Sequence, residues 1–386
     1  MLNLIRYYQN LPRDRKRLFY PIVLPLKIFY KNWREIRFNI YILSGKGKGI
    51  ETNIRMLCIT SAKKTPCFIA RVYETAPTQV FIKRAFIWNL KRIISEYSSN
   101  IDLTLIDTHR LFRHFVKVKN SFLIPHFVKL ILDINKPMEE VSKMFSRNVK
   151  GDLRITRKFN YSYDTFSDLK SLKFFYEKMY VPYIKERYPE RAEILELDEL
   201  KGIIKKGMLI FVKSEGKYIC GSLCENRKKH FFFHQLGILD GNEDFLRKRA
   251  LTALYYFTII KAKEENAKVL DFDTTGPFLS DGLLRHKIKW GARVCRDRTK
   301  DRLLTLIVNR HKNVAPIFTA QPFICIENGT LKAVIFVSGD TEADNFDIKS
   351  FNDQFATPGI TALKIIDSEK QTEYINKHMQ SMMVSA

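Results

Sequence analysis

The 386-residue sequence contains no Cys-x-x-Cys pair, no proline- or glycine-rich linker, no low-complexity tract and no obvious internal repeat. Its six cysteines (58, 67, 220, 224, 295 and 325) are scattered, which argues against a disulfide framework and against zinc. Cys220 and Cys224 stand four apart in an expected strand, on one face, as packed thiols. No apolar run is long enough to span a bilayer. The most apolar, residues 18–30 (LFYPIVLPLKIFY), is short, is broken by Pro21 and Pro25 and carries Lys27. With no signal peptide either, a cytoplasmic protein with reduced thiols is expected. Acids are the other shortage: 41 Asp and Glu face 66 Lys and Arg, a net charge of +25. From Gly339 onward eight acids outnumber four lysines, so the positive excess belongs to the body of the chain. An excess of that size points to polyanionic partners such as RNA, a phosphate-rich donor or an anionic membrane. Residues 18–30, flanked by Arg13, Arg15, Lys16, Arg17 and Lys31, fit either peripheral contact with the inner face of such a membrane or a basic loop leading into a buried segment.

The length exceeds a single core, so two domains are expected. The first hundred residues mix strand-like runs (RFNIYIL, IRMLCIT, PCFIARVYE) with a helix-like stretch from about Val80 to Tyr97. A strand-like LTLID follows. In KPMEEVSKMFSRNVKGDLRITRKFN, Arg147, Lys150, Arg154, Arg157 and Lys158 fall at helical spacing and place five cations on one stripe, with Gly151 a modest cost. Such a stripe, almost free of acids, suits phosphate contact as well as plain solvation. A second, aromatic-rich helix is expected near Phe166–Arg187. GMLIFVK, YICGSLCEN and HFFFHQLGI, separated by SEGK and RKK, read as an antiparallel meander. A long helix from about residue 239 to 268 and the strand VLDFD complete an α+β order, and DRLLTLIV, PFICIEN and LKAVIFV add three strands.

The stretch 269–291, VLDFDTTGPFLSDGLLRHKIKWG, carries the chemistry. Asp271, Asp273 and Thr275 after an apolar strand resemble the opening motif of haloacid-dehalogenase phosphatases, with Gly339, Asp340 and Asp344 as the closing one. That would imply an aspartyl nucleophile and Mg²⁺. Against it, Asn309 stands where that family uses Ser or Thr, and an antiparallel meander lies upstream. A longer match runs the other way. Asp271-Phe272, Asp281-Gly282 and Lys287-Ile-Lys-Trp290-Gly291 resemble a signature of GNAT-superfamily acyltransferases in the FemAB-like and CelD-like branch. The meander, the helix after it and the basic helix near residue 150 agree in order, over roughly residues 137–338.

This resemblance implies a mixed, mostly antiparallel sheet flanked by helices, duplicated as in FemAB-like proteins. It places a degenerate GNAT-like domain at 1–136, an acyltransferase domain at 137–315, and C-terminal strands with an acidic tail at 316–386 packing back on the first domain. It implies transfer of an acyl or aminoacyl group, from acyl-CoA or aminoacyl-tRNA, to an amine or hydroxyl of a small molecule or of a cell-envelope or glycan precursor. No metal is required. Such transfer needs a proton acceptor, donors near the developing oxyanion and a seat for donor phosphates. Asp273, Asp281 and His234 are the candidate bases, with His286 behind them. Lys287 is the candidate cation for a donor phosphate or carbonyl, and Trp290 packs its helix. Arg247, Lys248 and Arg249 stand where CoA-using members carry a glycine-rich turn, and are expected to hold phosphate by side chains. Arg147, Lys150, Arg154 and Arg157 form the polyanion-binding stripe. A catalytically silent, GNAT-shaped module that binds RNA or membrane is the rival reading.

Overall fold

A computed structural model describes residues 36–61, 67–187, 194–297, 301–337, 346–370 and 372–376. The apolar run 18–30 and Gly339, Asp340 and Asp344 lie outside them. The first sheet holds β1 (Arg37–Lys46), β2 (Asn53–Thr60), β3 (Thr78–Phe86), β4 (Leu103–His109), β5 (Ser121–Pro125) and β13 (Arg302–Val308), in the order β3-β1-β2-β4-β13-β5. The second holds β6 (Val128–Asp133), β7 (Ser162–Phe166), β8 (Gly207–Ser214), β9 (Lys217–Arg227), β10 (His230–Ile238), β11 (Val269–Thr275) and β12 (Arg293–Arg296), in the order β12-β6-β11-β10-β9-β8-β7. Each has one parallel step, β2 beside β4 and β10 beside β11, and is otherwise antiparallel.

The two sheets are built alike and trade strands. Next to β4 lies β13, contributed by the later part of the chain; next to β11 lies β6, contributed by the earlier part. The exchange repeats in detail. Asp107 on β4 stands opposite Leu304 and pairs with Arg302, two residues before that partner, at 3.0 Å. Asp271 on β11 stands opposite Ile131 and pairs with Lys129, again two residues before, at 2.8 Å. A division after residue 136 therefore leaves β6 with the first part of the chain although it pairs in the second sheet. A division after 315 cuts the helix His311–Ala320.

The third sheet runs β14 (Phe323–Glu327), β15 (Thr330–Val337), β16 (Leu363–Asp367) and β17 (Thr372–Asn376). Alternate residues face two different cores: Phe323, Val334 and Phe336 join the core of the first sheet, while Ile324, Ala333 and Ile335 join that of the second. Burial on both faces is why residues 323–326 and 333–337 read as unbroken apolar runs.

Four helix boundaries differ from the periodicity. Val80–Phe86 is strand β3, paired with β1, and the helical pattern begins only at α1 (Leu90–Tyr97), which buries Leu90, Ile93 and Ile94. The basic segment breaks at Ser146, whose hydroxyl accepts from the Val149 N–H and starts α2 (Arg147–Thr156). The helix after the meander breaks at Arg249, held at φ 63°, and resumes as α3 (Ala250–Glu264). The stretch from Phe166 opens as the end of β7 and becomes helical at Leu169.

Candidate functional site

The parallel steps of the two sheets differ, and the site follows from that difference. In the first sheet β2 and β4 stay in register over five pairs, from Met56 with Leu103 to Thr60 with Asp107. The end is tied shut: Asp107 accepts from Thr60 at 3.0 Å and from Arg302, and meets His126 at 2.8 Å. In the second sheet β10 and β11 hold register over three pairs only, ending at Phe232 with Asp271. Beyond that level both strands bulge, β10 at His234 against β9 and β11 between Asp271 and Thr274 against β6. Bulges bend strands and re-aim side chains, so the two part. A cavity of about 590 Å³ opens between them, walled by Phe233–Leu236 of β10, Phe272–Thr274 of β11, Leu251 and Tyr255 of α3, and Leu283, His286 and Lys287 of α4 (Gly282–Ile288).

Alternation along a regular strand would point Asp271 and Asp273 the same way, and the bulge separates them. Asp271 is buried, with one carboxylate oxygen on Lys129 and the other accepting from the Asp273 N–H at 2.9 Å. Burial opposes the charge on Lys129, yet the bond to Asp271 and its charge hold the lysine's pKa above the ordinary value. Both Asp271 oxygens are engaged and the residue is not among those that line the cavity, which argues against an aspartyl nucleophile. Asp273 sits at φ 62°, exposed, on the cavity wall. A non-glycine residue in that conformation beside a cavity is strain held in place by its surroundings, here the Asp271 carboxylate.

Lys287 is 4% exposed and donates to the Thr274 carbonyl at 3.3 Å. Burial pulls its pKa down to about 8, with Asp273, Asp271 and Asp281 opposing the fall. Its neighbour His286 is driven to about 4 by burial and by Lys289 and Lys287, and its ring meets Tyr255 edge-on at 4.9 Å. At neutral pH the cavity therefore presents an ammonium beside a neutral imidazole. Trp290 fixes this arrangement: it stacks on Tyr255 at 5.4 Å and meets Phe145 edge-on at 5.2 Å. Gly291 follows at φ 80°, where a Cβ would stand 2.6 Å from that of Met144, so the helix can end there only on glycine.

Asp281 does not line the cavity. One oxygen caps α4 by accepting from Leu283 and Leu284 N–H groups at 3.0 Å, and the other binds Arg71 of the first part of the chain. It is a strut, with both oxygens engaged. His234 does line the cavity. Its Nε2 lies 3.2 Å from Glu225, a buried carboxylate on β9 that also takes two hydrogen bonds from Arg227, at 2.7 and 2.6 Å. Those Arg227 bonds, against the cost of burial, hold Glu225 below the usual carboxylate range. Glu225 was missed in the sequence, though a lone acid inside YICGSLCEN was signal enough for a buried, partnered carboxylate.

The proposed phosphate holders lie at the head of α3. Arg247 is engaged by Glu243 and Asp244, and Arg249 by Asp152 of α2 at 3.0 Å. Lys248 is exposed, its carbonyl accepting from the Tyr161 hydroxyl at 3.1 Å. Of the basic stripe, Lys150, Arg154 and Arg157 line a second cavity of about 720 Å³ on the other side of α3, with Tyr161, Tyr256 and Phe257; Arg147 stands outside it. Among the described residues no cluster of His, Cys, Asp or Glu could hold a metal ion, and no helix is long and apolar enough to cross a membrane.

No protein-family model and no curated protein matches this chain. Solved structures similar to it include FemX, at 14% identity and TM-score 0.38, covering 71% of this chain and 90% of that one. A second is L-PGS from Bacillus licheniformis, at 11% identity and TM-score 0.35, covering 70% and 82%. A third is a GCN5-related N-acetyltransferase from Kribbella flavida, at 8% identity and TM-score 0.26, covering 89% and 79%. The architecture expected from the 269–291 stretch, a mixed and mostly antiparallel sheet with flanking helices present twice, is the one observed.

Proposed function

We propose that this protein is an acyl or aminoacyl transferase whose reaction takes place in the gap between β10 and β11. The observation that carries this is the parting of two parallel strands around a cavity lined by both His234 and Lys287, while the matching step in the first sheet is hydrogen-bonded shut. On the side facing β11, no strand among the described residues pairs with the β10 backbone beyond Phe232, so an extended acyl chain can lie against it.

An acceptor amine or hydroxyl attacks the acyl carbonyl. His234, oriented by Glu225, takes the proton lost by the acceptor, and the acyl–oxygen or acyl–sulfur bond breaks. Lys287, with a pKa of about 8, gives a proton to the departing oxygen or sulfur and stabilises the oxyanion that precedes it. Aminoacyl-tRNA fits better than acyl-CoA as donor. Two of the three cations at the head of α3 are already paired and no glycine-rich turn is present, whereas Lys150, Arg154 and Arg157 with Tyr161 and Tyr256 offer a basic, aromatic bay between α2 and α3. The acceptor class, an amine or hydroxyl of a cell-envelope or glycan precursor, rests on the resemblance of the 269–291 stretch.

Thermal unfolding with each donor tests the reading. A non-hydrolysable aminoacyl-tRNA analogue at a hundredfold its dissociation constant should stabilise the fold by about 2.7 kcal/mol. A Gln235→Trp variant, which fills the gap, should lose most of that gain, and acetyl-CoA should give little. Stabilisation by acetyl-CoA alone would reverse the choice of donor. Equal stabilisation of the wild type and Gln235→Trp by tRNA with and without the aminoacyl group would favour a binding module without catalysis.

A further inference from the structure

We propose that the face of the first sheet around residues 86–92 and 110–119 is a docking surface for an anionic lipid bilayer. It is remote in sequence from the cavity residues and does not depend on the transfer reading. The 3₁₀ turn Arg110–Val116 turns Phe112 and Val116 into the core and leaves Leu111 and Phe115 outside, 45% and 54% exposed. The turn Ile87–Asn89 packs beside it and presents Trp88, 61% exposed, the most exposed large apolar side chain among the described residues. Trp88 is held outward by stacking on Phe86 at 4.8 Å, with Arg37 over the other ring at 5.0 Å. Three apolar side chains thus protrude from ordered backbone that has its own core beneath.

Their surroundings are cationic. Between Thr78 and Lys119 the chain has eight Lys and Arg and three acids. Two of the acids, Asp102 and Asp107, are buried, and the third, Glu96, is engaged by Lys83 at 3.3 Å. Arg92, Arg113 and Lys117 are exposed beside the apolar tips. Protruding Trp, Leu and Phe ringed by Lys and Arg match the interface of an anionic membrane, where aromatic rings sit at headgroup depth and cations meet phosphates. The aliphatic Leu111 weighs against single-stranded RNA, which gains from flat rings on which bases stack.

The full-length protein is mixed with vesicles of equal phosphatidylglycerol and phosphatidylcholine, and with vesicles of phosphatidylcholine alone, and sedimented. Binding to the anionic vesicles only is expected, with a blue shift of the emission component that a Trp88→Phe variant lacks. A Leu111→Ser/Phe115→Ser pair should weaken binding at least tenfold, and Arg113→Glu/Lys117→Glu should abolish it, both with unchanged melting temperature. Three results overturn the proposal: no partition into anionic vesicles, partition untouched by either pair of substitutions, or capture of a single-stranded RNA oligomer by this face without vesicle binding.

Discussion

Lys287→Met is expected to make the protein more stable and the reaction slower. A lysine whose pKa falls from 10.5 to about 8 on folding loses about 3 kcal/mol as a buried cation at neutral pH, at 1.36 kcal/mol per unit. Methionine fills similar space without the charge, so denaturant unfolding at pH 7 should show a gain on the order of 2 kcal/mol after loss of the bond to Thr274. The sign with pH is fixed. Below about pH 8 the amine is protonated folded and unfolded, and the cost is complete. Between about pH 8 and 10.5 the unfolded chain keeps a proton that the folded chain has released, so wild-type stability rises relative to the variant. Transfer should fall by on the order of 10²-fold or more, because the variant has no proton for the leaving group. Equal stability with equal rate would remove Lys287 from the account. A stability gain without a rate loss would leave it a buried cation with no part in the chemistry.

The second large effect concerns the exchanged strands. Residues 137–386 expressed alone should give no cooperative unfolding transition, a loss of the whole stability of the fold, typically on the order of 5–15 kcal/mol. Without β6, strands β11 and β12 have nothing between them, since each reaches the other only through β6. Without β4 and β5, β13 has no neighbour on either side. Lys129, which neutralises the buried Asp271, would also be gone, and the bulge that carries Asp273 with it. Supplying residues 1–136 as a separate chain should restore a soluble complex. A sharp transition from 137–386 alone, by circular dichroism and calorimetry together, would contradict the exchange.

Local features of the sequence proved informative and long-range ones did not. The meander of β8, β9 and β10 was readable because its strands are adjacent in sequence and alternate visibly. The 269–291 stretch was readable as a unit because Asp281, Lys287, Trp290 and Gly291 each answer a local demand: a helix cap, a cavity wall, a packed ring and a left-handed helix end. The exchange of β6 and β13 was invisible, since no local pattern tells a strand which sheet it will join. The same limit applies to Asp271 and Asp273, where regular alternation predicts one face and a bulge pinned by Lys129, some 140 residues away in the chain, puts them on two. His234 was legible as a candidate, but its partner Glu225 and the bulge that aims it depend on the pairing of β9 with β10.

If the transfer reading holds, the donor's acyl group lies between β10 and β11. Photo-crosslinking tests it without waiting for an acceptor. The protein is irradiated with tRNA charged with a diazirine-bearing amino acid, and separately with a diazirine-bearing acyl-CoA, and the labelled residues are mapped by mass spectrometry. Label is expected within residues 233–236, 251–255, 272–274 and 283–287, carried by the tRNA donor and displaced by its unlabelled counterpart. Label confined to the bay of Lys150, Arg154 and Arg157, or spread over the surface without displacement, would contradict it.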